Sequence, residues 1–125
     1  MRAYRLGLAV FVLASASPAL AEEVASFLVR VKAVERLGPF AFFSRDFYRL
    51  KALVEADGEE LKKEYAEAKA AGRETTFCPP AKDKPRVNPK EYLAALNAVP
   101  EDQRKTTTTK DVLKTVLERK YPCKS

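Results

Sequence analysis

The sequence predicts an all-α fold, a small domain of four to five helices with one disulfide that follows a cleaved signal peptide. Three observations lead to this fold class. Apolar residues recur at steps of three and four in four stretches of the chain, which is the period of an amphipathic helix. Glycine, proline or a capping Ser, Thr or Asn residue bounds these stretches. The chain of 125 residues contains only two cysteines, and both stand beside prolines.

The start of the chain has the pattern of a secretory signal peptide. Arg2 and Arg5 precede an apolar run over positions 6–14, and Ala19-Leu20-Ala21 forms an A-x-A cleavage pattern. The apolar run is too short for a spanning helix, which needs about 20 residues. We therefore expect positions 1–21 to be removed, leaving one domain over 22–125. The protein is then periplasmic or secreted, with no membrane insertion after cleavage.

Positions 22–72 are predicted to form an N-terminal helical pair. The apolar stripe of the first helix consists of Val24, Phe27, Leu28, Val31, Val34 and Leu37. Gly38-Pro39 ends this helix, because glycine and proline commonly follow a helix C-terminus. Ser44 caps the second helix, which extends up to Gly72 and reaches about 42 Å at 1.5 Å per residue. Gly58 interrupts its pattern, so a break there, giving two helices, is an alternative.

Positions 73–125 are predicted to form a helical half that the disulfide closes. The prolines of "TTFCPPAKDKPRV" indicate a loop over 75–87. Asn88 then caps a helix with Pro89 at its first position, and Thr108 caps the last helix, which ends before Pro122. The predicted buried faces of these two helices comprise Tyr92, Leu93, Leu96 and Val99, and then Val112, Leu113, Val116 and Leu117.

A disulfide between Cys78 and Cys123 follows from the oxidising compartment that a signal peptide implies, since two cysteines there most simply pair with each other. The bond would join the exit of the long helix to the exit of the last helix. For residues 45 positions apart, the chain-entropy model gives roughly 4 kcal/mol of stabilisation.

The residue inventory argues against an enzyme. The chain has no histidine and no tryptophan, so the commonest general base and metal ligand is missing. We expect no catalytic site, metal or cofactor. Glu60 and Glu64 are interleaved with Lys62 and Lys63, which is typical of a solvated helix face with ion pairs. Without the signal peptide the formal charge is +4, from 21 basic and 17 acidic residues. Charges of both signs are mixed along the chain, with no run of five like charges, so the sequence does not indicate nucleic-acid binding.

Five aromatic residues crowd the stretch "PFAFFSRDFY" at positions 39–48. We expect most of them to lie in the core, because a small helical domain needs large side chains and Phe43 and Phe47 have i,i+4 spacing. A second interpretation is that one or two of them, with arginines, form an exposed contact patch or a homodimer interface. The candidate binding residues are then Phe40, Phe42, Arg45, Tyr48 and Arg49.

The C-terminal half resembles a known family. It contains "FCPP" at 77–80, "YLAALNAVPEDQRK" at 92–105 and "VLKTVLERKYPC" at 112–123. This order is similar to that of the Rap/Tai family of type VI secretion immunity proteins. The family pattern is Phe-Cys-x-Pro, a loop, a Tyr-Leu helix ending near a proline, and a last helix closed by (Phe/Tyr)-Pro-Cys. The second cysteine pair usual in the family is absent, and the N-terminal half does not match.

The resemblance implies a secreted, all-α, disulfide-bonded protein, often a dimer, that plugs the active-site cleft of a peptidoglycan amidase effector. It carries over only Cys78 and Cys123, as structural residues. We therefore expect a periplasmic, non-catalytic binding protein whose partner is another protein, with a secreted amidase effector as the candidate. The alternative is a periplasmic holdase chaperone of the HdeA type, which would bind apolar client segments on acidification. A small carboxylate-based hydrolase is a third hypothesis.

Overall fold

The computed structural model describes residues 22–79 and 87–123. Across these two segments the chain forms four α-helices and two short 3-10 helices, without a β-strand. The predicted all-α class is confirmed, and so is the disulfide between Cys78 and Cys123. The predicted signal peptide lies outside the described residues, as does part of the predicted loop over 75–87.

Helix α1 spans Val24–Glu35 and has no side-chain cap at its N-terminus. The loop before the last helix supplies the missing acceptors instead. The Val24 amide donates to the Thr107 carbonyl and the Ala25 amide donates to the Arg104 carbonyl, each at 3.0 Å. These bonds satisfy two of the amides that a helix N-terminus leaves without an internal partner. The start of α1 is thereby tied to a segment about 80 residues further along the chain.

Helix α2 spans Arg45–Ala70 and follows a 3-10 helix over Gly38–Phe43. As predicted, the Ser44 side chain caps α2, accepting a hydrogen bond from the Asp46 amide at 3.1 Å. The helix runs through Gly58 without a break, so the alternative of two helices does not occur. Gly72 follows its end with a φ of +70°, the left-handed conformation that glycine adopts at little cost.

Helix α3 spans Pro89–Ala98 and helix α4 spans Thr109–Lys120, with a 3-10 helix over Glu101–Gln103 between them. Both predicted caps are present. The Asn88 side chain accepts from the Lys90 amide at 2.9 Å. The Thr108 hydroxyl accepts from the Asp111 amide at 3.2 Å. The N-terminal boundaries of α3 and α4 are therefore set by capping side chains that stand next to them in the sequence.

The core lies where α2 packs against α1 and α4 and where α3 packs against α4. Its buried members are Val24, Phe27, Leu28, Val34, Leu50, Leu61, Phe77, Tyr92, Leu96, Val112, Leu113 and Leu117. All four helices contribute, which matches the predicted apolar stripes except at Leu37, which is 45% exposed. Within 22–79 and 87–123, no helix has the length and apolar character that crossing a membrane requires.

The disulfide joins the segment after α2 to the segment after α4, with 4.9 Å between the Cα atoms of the two cysteines. The Cys78 amide also donates to the Tyr121 carbonyl at 2.7 Å. Next to Cys78, the buried Phe77 ring packs on Tyr65 near the C-terminal end of α2, with 5.6 Å between ring centroids. The disulfide and this backbone hydrogen bond therefore hold the two segments together, and Phe77 packs the first of them against α2.

Candidate protein-contact surface

Four aromatic side chains lie exposed where α1 gives way to α2. We define the aromatic patch as Phe40, Phe42, Phe43 and Tyr48, whose exposed fractions are 71%, 64%, 84% and 57%. Singly exposed apolar residues are normal on protein surfaces, whereas contiguous exposed apolar patches mark interaction sites. The patch is therefore the candidate contact surface.

The expectation that most of these aromatic residues enter the core is wrong. Ser44 separates the 3-10 helix from α2 with extended backbone, at φ −81° and ψ 135°. Phe43 and Phe47 consequently belong to different helices, and i,i+4 spacing puts two side chains on one face only within a single helix. Phe47 alone among the five packs against the core, and it is partly buried.

The partly buried ring of Phe47 packs between the core and two rings of the aromatic patch. Its ring meets Phe42 edge to face, with centroids 5.3 Å apart, and meets Tyr48 in the same manner at 5.4 Å. Edge-to-face pairs at such distances are favourable, since the positive ring edge meets the negative ring face. Two of the exposed rings thus stand on a third ring that is packed against the core, which limits the freedom that they would lose on binding.

The surface around the aromatic patch is basic. Arg45 and Arg49 are exposed beside it, and the contact from Arg49 to Asp46 is long, at 4.0 Å. Between positions 32 and 51 the exposed cations are Lys32, Arg36, Arg45, Arg49 and Lys51. Within this window only Glu35 and Asp46 are acidic, and Lys51 lies 3.9 Å from Glu55 just beyond it. Further along α2 the balance reverses, with six carboxylates against two lysines between positions 55 and 67. The patch therefore occupies a positive end of the molecule.

A buried polar network that sequence reasoning missed ties three helices together. The Thr109 hydroxyl on α4 donates to the Asp57 carboxylate on α2 at 2.7 Å. The Tyr92 hydroxyl on α3 donates to the Thr109 carbonyl at 3.3 Å. A signal was available, because Asp57 falls on the apolar stripe of α2 between Val54 and Leu61, where a charged residue is out of place.

Burial raises the pKa of Asp57 above its usual value; the nearby Glu60 and Asp111 carboxylates add to the rise, while the Thr109 hydrogen bond and Lys110 oppose it. Burial also raises the pKa of the Tyr92 hydroxyl. Asp57 is 6% exposed and Tyr92 is 5% exposed, so both groups are enclosed by the packed helices. The network serves helix packing.

The carboxylates predicted to pair along α2 reach across to α4. Lys110 lies 3.2 Å from a Glu60 oxygen and also forms an ion pair with Glu64. The hydrogen bond to Glu64 raises the pKa of Lys110, and burial opposes the rise. Lys63 pairs instead with Glu67, at 4.0 Å. The described part of the chain holds no group of three or more His, Cys, Asp or Glu residues arranged for a metal ion.

The five predicted binding residues lie in one region of the chain, and the two cysteines lie elsewhere. Phe40 and Phe42 belong to the 3-10 helix before α2, and Arg45, Tyr48 and Arg49 belong to the first two turns of α2. Cys78 lies near Tyr65, which is 17 residues beyond Tyr48 on the same helix, or roughly 25 Å at 1.5 Å per residue. The disulfide therefore braces the far end of the domain and does not shape the aromatic patch.

Comparisons of the chain with models of protein families, with curated proteins and with solved structures find no match.

Proposed function

We propose that the chain is a periplasmic or secreted, non-catalytic binding protein that occludes a protein partner through the aromatic patch. The observation that carries this proposal is the exposure of four neighbouring aromatic side chains at one end of the molecule. The candidate partner is a secreted peptidoglycan amidase effector. Inhibition by occlusion needs shape and charge complementarity and no reacting group.

The chemistry of the patch suits protein recognition. Phe, Tyr and Arg are enriched in protein interfaces, and the patch combines three Phe residues and Tyr48 with Arg45 and Arg49 beside it. Burying one large apolar side chain is worth roughly 1.5–3 kcal/mol. A few anchors of this size account for most of the binding energy in measured interfaces.

The sequence resemblance supports the immunity function in particular. Cys78 and Cys123 bracket the region that resembles the Rap/Tai family, and they are the two residues that the disulfide joins. The helices α3 and α4 lie between them, in the order that the family pattern requires.

Site-specific photo-crosslinking in the producing cells tests the proposal. A photoreactive phenylalanine analogue replaces Phe43, the most exposed ring of the patch at 84%, and a matched variant carries it at Lys63 on the exposed face of α2. Irradiation of cells with the analogue at position 43 is expected to give one discrete heteromeric adduct, which is absent from position 63. Mass spectrometry of that adduct identifies the partner, and the product of the adjacent gene is the first candidate.

Other outcomes would reject the proposal in distinguishable ways. Many adducts of different mass, increasing in acid, would favour the holdase chaperone. An adduct of twice the protomer mass would indicate a homodimer, and a lipid adduct would indicate docking to a membrane surface. Equal labelling from positions 43 and 63 would remove the aromatic patch as the contact surface.

A further inference from the structure

A second surface feature lies along α1, the helix that precedes the aromatic patch in the chain. A shallow groove of about 230 Å³ runs between α1 and the 3-10 helix over Glu101–Gln103. Ala25, Leu28 and Val29 line it on the α1 side, and Val29 is 69% exposed. Leu28 is buried and Ala25 is partly buried, so the groove has a small apolar floor on which Val29 is the exposed aliphatic side chain.

The rim of the groove is basic. Lys32 on α1 faces Arg104 and Lys105 across the floor, and Glu101 is the single carboxylate among the lining residues. Three cations against one carboxylate give a net formal charge of +2. None of these four residues takes part in an ion pair within the part of the chain that the structure describes. The rim therefore has charge available for an anionic ligand.

Arg104 is held in place before any ligand binds. Its Nε donates to the Val99 carbonyl at 2.9 Å and its Nη2 donates to the Asn97 carbonyl at 3.0 Å. A guanidinium carries five N–H donors, so three remain for a ligand. The backbone of Arg104 is fixed as well, because its carbonyl accepts the Ala25 amide. A pre-oriented guanidinium loses little freedom on binding a carboxylate.

We propose that this groove binds an acidic peptide segment that carries an aliphatic side chain. The aliphatic group lies on Ala25 and Val29, and flanking carboxylates pair with Lys32, Arg104 and Lys105. Charge complementarity selects this occupant, since a cationic segment would meet like charge at the rim. A purely polar acidic segment would leave the apolar floor exposed.

The groove and the aromatic patch are near each other along the chain. Val29 and Lys32 lie about one turn apart on α1, and the 3-10 helix of the patch begins at Gly38, six residues after Lys32. Four partly exposed aromatic side chains offer on the order of 500 Å², less than the ~800 Å² per partner of a standard interface. That the segment belongs to the partner at the patch rests on the proposed function.

A peptide titration followed by amide chemical shifts of the isotope-labelled protein tests the groove without reference to the aromatic patch. The probe is the capped peptide Ac-SEDLELDES-amide. Two controls replace its leucines by serine or its acidic residues by lysine. The acidic leucine peptide is expected to give saturable shifts confined to the groove, at Ala25, Val29, Lys32, Arg104 and Lys105. Both control peptides are expected to bind at least about tenfold more weakly, a loss of 1.4 kcal/mol or more.

A charge-reversed pair of variants completes the test. Lys32→Glu/Lys105→Glu is expected to weaken the acidic leucine peptide by about tenfold or more, with an unchanged circular dichroism spectrum. Lys62→Glu/Lys63→Glu changes the net charge equally on exposed α2 positions and is expected to leave binding unchanged. The proposal would be overturned by chemical-shift changes scattered over the protein or by a titration that does not saturate. It would also be overturned if a control peptide bound as tightly as the acidic leucine peptide, or if the two double variants weakened binding equally. Loss of the crosslink at position 43 with intact peptide binding would reject the patch alone.

Discussion

The Thr109 hydroxyl donates a 2.7 Å hydrogen bond to the buried carboxylate of Asp57, and this bond joins the middle of α2 to the first turn of α4. Tyr92 adds α3 through its bond to the Thr109 carbonyl. Burying an ionised carboxylate is costly unless its partners compensate. Here one hydroxyl faces the carboxylate directly, and the Lys110 charge acts on it from α4 against the carboxylates of Glu60 and Asp111.

Asp57→Asn is expected to stabilise the fold at neutral pH. The pKa of Asp57 is higher in the folded chain than its usual value, so protonation favours the folded state. That contribution is fully present below the usual pKa near 4 and is lost as the pH rises through the raised pKa. At pH 7 the ionised carboxylate is therefore a net cost. Asparagine removes the charge and keeps an acceptor for Thr109. We expect a gain in stability at pH 7, seen as a higher melting temperature and a higher urea midpoint than those of the parent chain.

Urea unfolding of both chains at pH 7 and pH 3.5 measures this gain, which should be larger at pH 7. The control is Glu59→Gln, an exposed carboxylate on the same helix, for which we expect no comparable pH-dependent gain. An Asp57→Asn variant less stable than the parent at pH 7 would show that the ionised carboxylate stabilises the fold.

Gly58→Ala and Gly72→Ala should change stability in opposite directions. Gly58 lies inside the continuous helix α2, and an added Cβ there meets no heavy atom within 4 Å. Alanine should therefore stabilise by about 1 kcal/mol, its helix-propensity advantage over glycine. Gly72 has a φ of +70°, where alanine is strained, and its replacement should cost roughly 1 kcal/mol. Thermal unfolding of both variants checks this. A destabilising Gly58→Ala would contradict the continuous helix, and a stabilising Gly72→Ala would contradict the left-handed backbone at that position.

Removal of the disulfide should cost a large part of the stability. Cys78 and Cys123 are 45 positions apart, for which the chain-entropy model gives about 4 kcal/mol. Total stability in small domains is about 5–15 kcal/mol. Urea unfolding of Cys78→Ser/Cys123→Ser is expected to show this loss, and reduction of the parent chain should match it. A double variant within about 1 kcal/mol of the parent would mean that the bond constrains the unfolded chain little.

Lys110→Met should destabilise modestly and in a salt-dependent way. Lys110 pairs with Glu60 and Glu64 across two helices. Its pKa is raised, so the stabilisation is complete below the usual lysine pKa and is lost only as alkaline pH passes the raised value. At pH 7 we expect a loss of up to about 1 kcal/mol that shrinks in 1 M salt. Lys51→Met, which removes an exposed pair with Glu55, is the control and should cost less. A loss that does not respond to salt would point to packing.

Local signals in the sequence account for most of the fold. Ser44, Asn88 and Thr108 each mark a helix start because a side-chain oxygen and the amides that it caps lie within three residues of each other. The apolar stripes likewise depend on spacing within one helix. These features are readable from the chain because their physical causes are local.

The features that position the candidate surface depend on contacts between residues that are far apart in the sequence or in different helices. The i,i+4 spacing of Phe43 and Phe47 wrongly predicted that both rings enter the core, because one extended residue, Ser44, puts them in different helices. Asp57 could have been flagged as a charge on an apolar stripe, but its partner Thr109 is 52 positions away. The groove needs Arg104 beside α1, a neighbourhood that only the folded chain creates. Spacing rules fail where the answer depends on how separate helices meet.

The affinity of the partner captured at position 43 is the most direct test of the aromatic patch as the contact surface. Titration calorimetry would compare the parent chain with Phe42→Ala/Phe43→Ala, and with Lys62→Ala/Lys63→Ala as the control on α2. We predict that losing both rings weakens binding by about 30-fold or more, equivalent to about 2 kcal/mol, while the control binds like the parent. Binding of the double phenylalanine variant within about threefold of the parent would contradict the account.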